Sequence, residues 1–209
     1  MRRGLALGLV LAACSALGCT HQIAFDEADP SWHYVIDAPR AETASLVAVV
    51  SEETLADSYA FRAFSTGIAH KWVAQYGRML IQVADVELPQ LVGTYARRSS
   101  YEEPRAGDPR LVLELRVTSY RFADFGATLT LQADAYGPDK TRLFSRSYTA
   151  TGEGQAGKMI GLGAFGQKSA VRQSSLDAFR NAFAQLRVDL LAALASSRAP
   201  GEPASDRPE

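Results

Sequence analysis

Two neighbouring stretches near the middle of the chain alternate in character at every second residue. In "RLVLELRVTSYRF" (110–122), Leu111, Leu113, Leu115 and Val117 fall on one side and Glu114, Arg116 and Thr118 on the other. In "ATLTLQADAY" (127–136), Ala127, Leu129, Leu131, Ala133 and Ala135 alternate with Thr128, Thr130, Gln132 and Asp134. A period of two belongs to strands. Two such runs in succession demand a sheet with one covered face and one wetter face. "GPDK" (137–140) has turn composition, and "TRLFSRSYTA" follows as the third strand of a meander. The cover comes later in the chain. Leu176, Phe179, Phe183, Leu186, Leu190 and Leu194 recur at spacings of three and four, while Asp177, Arg180, Asn181, Gln185 and Asp189 take the other side. That stripe is wide enough for a long helix to close the meander's apolar face.

The segment before the meander is less regular. "SLVAVV" (45–50) reads as a buried strand. Residues 58–76 are rich in aromatics: Tyr59, Phe61, Phe64, Trp72 and Tyr76. "HKWVAQY" reads as a strand and "YAFRAF" as a weaker one. Gly77 opens a helix over "RMLIQVADVEL", which Pro89 breaks or restarts. "TYARRSS" (94–100) reads as a further strand. The expected fold is α+β, one domain over 45–197. It is an antiparallel meander sheet packed by a long C-terminal helix and a shorter N-terminal helix. Residues 19–44 read as a tether, although Trp32, Tyr34 and Ile36 alternate as if part of it lay along the domain. Residues 198–209 hold three prolines and no large apolar side chain, a composition that predicts disorder.

The start of the chain, "MRRGLALGLVLAACSALGCT", points to a compartment. Arg2 and Arg3 form a basic n-region. Gly4 to Leu17 is almost wholly apolar but shorter than the ~20 residues that a spanning helix needs. This is signal-peptide architecture over 1–18. Ser15-Ala16-Leu17-Gly18-Cys19 resembles the lipobox of bacterial lipoproteins. In that family the cysteine thiol receives a diacylglycerol and cleavage occurs just before it. Leu11-Ala12-Ala13-Cys14 is a rival four-letter match, which would leave a hydrophobic region of only about eight residues. An ordinary signal peptide with incidental cysteines is the plain alternative. Cys14 and Cys19 are the chain's only cysteines, so the mature protein has no pair for a disulfide. By the same resemblance, Thr20 rather than Asp at the second mature position implies the outer membrane, periplasmic face. Removing Arg2 and Arg3 from the 22 basic residues leaves 20 against 23 acidic ones, a net charge of −3. That balance gives no nucleic-acid footprint.

Residues 152–166, "GEGQAGKMIGLGAFG", match G-x-G-x-x-G twice and G-x-x-x-x-G-K once. A dinucleotide fold needs a second parallel strand after the helix, and no strand-like segment follows this one. A phosphate loop needs Ser or Thr after its lysine, and Lys158 is followed by Met159. The expected start of the long helix, Ser169, is also too far from Gly157 to share a phosphate. The reading is therefore no nucleotide and no cofactor. What remains is a glycine loop carrying Met159, Ile160, Leu162 and Phe165. Either these residues tuck against the sheet, or they contact a partner or the membrane surface. His21, His33 and His70 are the only histidines and show no metal-ligand spacing. No G-x-S-x-G elbow occurs, and Glu102-Glu103 lacks an apolar setting that would raise a pKa. No catalytic residue or metal site is expected.

The order strand, helix opening at a glycine, strand, three-strand meander and long helix, behind a lipobox, resembles a known group. These are small periplasmic lipoproteins, including the auxiliary lipoproteins of ABC-type transporters and the YajG-type lipoproteins. The likeness runs over "SLVAVV", "YGRMLIQVADVELPQL", "RLVLELRVTSYRF", "ATLTLQADAYGPDKTRLFSRSYTATGEG" and "SSLDAFRNAFAQLRVDLLAAL". It implies a non-catalytic, lipid-anchored accessory of an envelope transport or assembly system, often one that moves lipids. Candidate partner contacts are then Tyr59, Phe61, Phe64 and Trp72 with the 158–168 loop. A second reading is a carrier that shelters a hydrophobic ligand between sheet and helix, with space left by Ala127, Ala133, Ala135, Ala178 and Ala182.

Overall fold

The computed structural model describes residues 20–26, 34–62, 71–101, 110–157 and 163–196. Eight strands are described: β1 (Thr20–Ile23), β2 (Ala41–Val49), β3 (Tyr59–Arg62), β4 (Lys71–Ala74), β5 (Val92–Arg98), β6 (Arg110–Ala123), β7 (Gly126–Tyr136) and β8 (Arg142–Thr151). They are joined by a short helix α1 (Glu52–Ala56), a middle helix α2 (Tyr76–Leu91) and a long helix α3 (Gly163–Ser196).

The strands form two sheets, one ordered β5-β2-β6-β7-β8 and the other β1-β4-β3. The expected meander is present as β6, β7 and β8, paired antiparallel. The whole sheet is not a meander, however. Strand β2 runs parallel to both β5 and β6, and β1 runs parallel to β4. This corrects the purely antiparallel expectation. "SLVAVV" is apolar at every position but the first because both of its faces are covered, as in parallel sheets generally. Leu46 and Ala48 enter the main core, while Val47 and Val49 pack with Val112 on the opposite face.

The segment expected to be a tether is partly built into the body. Thr20–Ile23 pairs with β4, and Ile23 and Phe25 are buried in the same core as the large sheet. Tyr34 and Ile36 pack against that core as their alternation suggested, while Trp32 lies outside the described residues. The 198–209 tail also lies outside them.

Ser51 caps α1, its Oγ accepting from the Thr54 amide at 3.1 Å, with Glu52 and Glu53 favourably placed in the first turn. Helix α2 runs through Pro89 to Leu91 instead of breaking there. The proline stands two residues before the helix ends, so its missing N–H removes only a bond of the last turn. Helix α3 begins at Gly163, six residues before the expected Ser169. Its inner face buries Phe179, Ala182, Phe183, Leu186 and Leu190 against Leu129, Leu131, Ala133 and Ala135 of β7.

The β6 pattern contains a correction of its own. A bulge between Val117 and Ser119 shifts the phase by one residue. Leu111 to Val117 face the core on odd numbers, and Tyr120 and Phe122 face it on even ones. The strand then turns back through Asp124 and Phe125, with φ of 51° and 64°. Ala123 pairs with Gly126, which makes this a two-residue hairpin with both central residues left-handed.

Candidate functional site

The aromatic cluster seen in the sequence is a packing device that joins the two sheets. Tyr59 and Phe61 of β3 lie over Tyr120 and Phe122 of β6, with ring centroids 5.8 Å and 5.4 Å apart. Tyr76 stacks on Tyr120 from the α2 side at 5.1 Å. The Tyr120 hydroxyl lies 2.7 Å from Ser175 Oγ on α3, and burial pushes it up to about 12. Trp72 stacks on His21 and is only 1% exposed, so it presents no surface to a partner. Tyr59 and Phe61 are half-buried. Of the other partner-contact candidates, Phe64, Met159, Ile160 and Leu162 lie outside the described residues, and Phe165 falls within the first turn of α3. The expected 158–168 loop is therefore helical from Gly163 onward, and Gly166 and Gln167 are buried.

The glycines have separate fates. Gly152 is buried where the end of β8 meets α3, and a Cβ there would lie 1.7 Å from the Ser174 carbonyl oxygen. Its amide donates to Ala127 O, and Ser174 Oγ accepts from the Ala127 amide at 2.8 Å. Gly152 thus serves close strand–helix approach, while Gly154 and Gly157 have open space around them.

A polar network that sequence reasoning missed lies between α2 and α3. Tyr34 Oη donates to Glu87 Oε1 at 2.8 Å, and the Arg180 guanidinium sits 3.8 Å above the Tyr34 ring. Glu87 is 2% exposed, and its Oε2 has no hydrogen-bond partner. Burial raises the Glu87 carboxyl above its ordinary range. The Tyr34 hydrogen bond and the Arg187 and Arg180 charges pull it back only in part. Gln90 bonds the same N-terminal strap twice, accepting from Ile36 N and donating to Tyr34 O. In the sequence Glu87 was simply an acidic residue on an amphipathic helix. Nothing local showed that residues 34–40 would cross over it.

The large sheet's second face carries a smaller apolar cluster of its own. Val47, Val49 and Val112 form it, with Tyr101 and Tyr136 packed edge to face at 5.7 Å. A cleft of about 360 Å³ opens beside them, lined by Ser99, Ser100, Tyr101, Glu114, Arg116 and Asp134 among others. Glu114 and Asp134 are register partners on β6 and β7. Desolvation and then the Asp134 charge raise the Glu114 carboxyl. Among the described residues no three of His, Cys, Asp and Glu converge as a metal-binding group. No described helix is long and apolar enough to cross a membrane.

No family model matches the chain, and no curated protein matches it. Among solved structures it is similar to a hypothetical protein from Chlamydia trachomatis, at 8% identity and a TM-score of 0.39. The match covers 71% of this chain and 99% of that one.

Proposed function

We propose that this chain is a non-catalytic, lipid-anchored accessory module of an envelope transport or assembly system, carried on the periplasmic face of the outer membrane. Its anchor is Cys19, bearing palmitate-type acyl chains, and its partner is a protein of the envelope complex. An ABC-type lipid transporter is the specific candidate that the resemblance suggests. The observation that carries the reading is the position of β1. The first residue after the lipobox cysteine, Thr20, is already the first residue of a strand in the folded body. A lipid on Cys19 therefore fixes the domain against the bilayer, where an envelope complex would meet it. Two or more acyl chains make such an anchor stable, whereas one is marginal.

The carrier reading has less support. The alanines that could have left room for a ligand, at 127, 133, 135, 178 and 182, are all fully buried in the sheet–helix core. None of them lines the open clefts beside Tyr101, beside Gln75 or beneath Leu194. Crosslinking in intact cells, with partners identified by mass, tests the accessory role. A specific envelope protein captured by the native chain but not by Cys19→Ala supports it. Native mass spectrometry that finds a stoichiometric lipid in the folded body, beyond the anchor, would favour the carrier.

A further inference from the structure

We infer that the end of the body formed by the start of β1, the start of β4, the end of β3 and the β6–β7 hairpin is a membrane-docking pole, with Phe125 entering the headgroup–acyl boundary. This rests on the anchored reading above and deepens it. The occupant is the bilayer leaflet that holds the Cys19 lipid.

The strand directions bring these ends together. Thr20 is the register partner of Lys71, and Lys71 that of Arg62, so the three residues sit side by side across the small sheet. At ~4.8 Å per strand they span only about 10 Å. Tyr59 lies over Tyr120 and Phe61 over Phe122, so β3 and β6 advance in the same direction. The end of β3 at Arg62 and the hairpin tip at Asp124-Phe125 therefore share one end of the molecule.

Two independent features then meet at that end. One is the length of available chain. Consecutive Cα atoms stand about 3.8 Å apart, so a lipid on Cys19 leaves no slack between Thr20 and the leaflet. The pole must face the bilayer. The other is Phe125, a bulky residue held left-handed at φ 64° and 38% exposed, one of three large exposed apolar side chains among the described residues. A tight hairpin favours Gly at that position, so a phenylalanine there carries backbone strain while more than a third of its surface stays in water. An aromatic ring at a membrane interface gains what it lacks in water. Exposed Arg62, Lys71 and Arg121 on the described part of the pole outnumber Asp124 and Glu153, which suits an anionic headgroup layer.

The test uses the full lipidated chain in phosphatidylethanolamine–phosphatidylglycerol vesicles containing acyl-brominated lipid. Phe125→Trp reports the pole, and Val188→Trp reports the exposed C-terminal third of α3, 14 residues or about 21 Å along the helix from Ser174. Wild-type emission is subtracted from each. About twofold quenching at position 125, with none at 188, is the expected result. Lys71→Cys carrying bimane gives the same readout at the neighbouring strand, should Phe125→Trp fold poorly. Lipidated protein that floats with the vesicles, yet shows both Trp positions equally unquenched, overturns the docking pole and leaves the anchor standing. Native protein whose intact mass shows no lipid on Cys19 overturns both.

Discussion

Gly152 and Ser174 touch backbone to backbone: a methyl group on Gly152 would sit 1.7 Å from the Ser174 carbonyl oxygen. This contact gives the glycine-rich stretch its structural meaning. The first glycine of the apparent G-x-G-x-x-G lets β8 end against α3, where Ser174 also closes the Ala127 amide. Gly152→Ala must push strand from helix and should cost about 1–3 kcal/mol. Gly154→Ala and Gly157→Ala meet open space and should change stability by less than about 0.5 kcal/mol. Urea denaturation of the three variants checks this. Equal effects at 152 and 154 would remove the packing explanation.

The Asp124-Phe125 turn sets backbone strain against burial. Phe125 is left-handed, yet only 38% of its surface is exposed. Phe125→Gly relieves about 1–2 kcal/mol of strain and gives up a comparable amount of ring burial. The Tm of the chain lacking its lipid should therefore change little, although the same substitution removes the ring from the proposed membrane-facing end. A large fall in Tm would make the ring chiefly a packing residue of the body.

Asp189 ties the edge strand β8 to α3. One oxygen accepts from the buried Tyr148 hydroxyl and the other from Arg146, each at 2.8 Å. Asp189→Ala leaves the Tyr148 hydroxyl without its acceptor and should cost about 1–3 kcal/mol. Tyr148→Phe combined with Asp189→Ala should cost less than the sum of the single variants, because each removes the same bond. Strict additivity in that double-mutant cycle would show the bond to be energetically idle.

The parts of this architecture legible in the sequence are those with a clean period. Strands β6 and β7 declare themselves by alternation, and α3 by its leucine and phenylalanine stripe. Parallel pairing was hidden because "SLVAVV" is apolar on both faces, and such a run carries no direction. Strand β1 was hidden because only Ile23 of its four residues is a core side chain, too few for a period to appear. The β6 bulge was hidden because a single extra residue changes phase without changing composition. The start of α3 was missed because Gly163 and Gly166 have poor helix propensity, while tertiary burial of Gly166 and Gln167 holds that turn in place. The Glu87 network depends on contacts more than 50 residues apart in sequence, which no local pattern encodes.

Glu87 makes stability depend on pH in a stated direction. Burial raises its folded-state pKa above the unfolded value, and one of its oxygens lacks a hydrogen-bond partner. The folded protein therefore binds this proton more tightly than the unfolded chain does. The stabilisation that follows is complete below the unfolded pKa, near the ordinary glutamate value, and is lost as pH rises through the higher folded value. Glu87→Gln removes the titration while its amide oxygen can still accept from Tyr34. Across that acidic window the wild type should lose stability relative to Glu87→Gln as pH rises. The difference should level off once the carboxylate is fully ionised in both states. Tyr34→Phe removes the hydroxyl donor that lowers the folded pKa, so it should extend the window upward and cost about 1–3 kcal/mol near neutral pH. Denaturation midpoints for the three chains at a series of pH values check the sign. A wild type that gains stability relative to Glu87→Gln on raising the pH through this range would mean that Arg180 and Arg187 outweigh burial at this carboxylate.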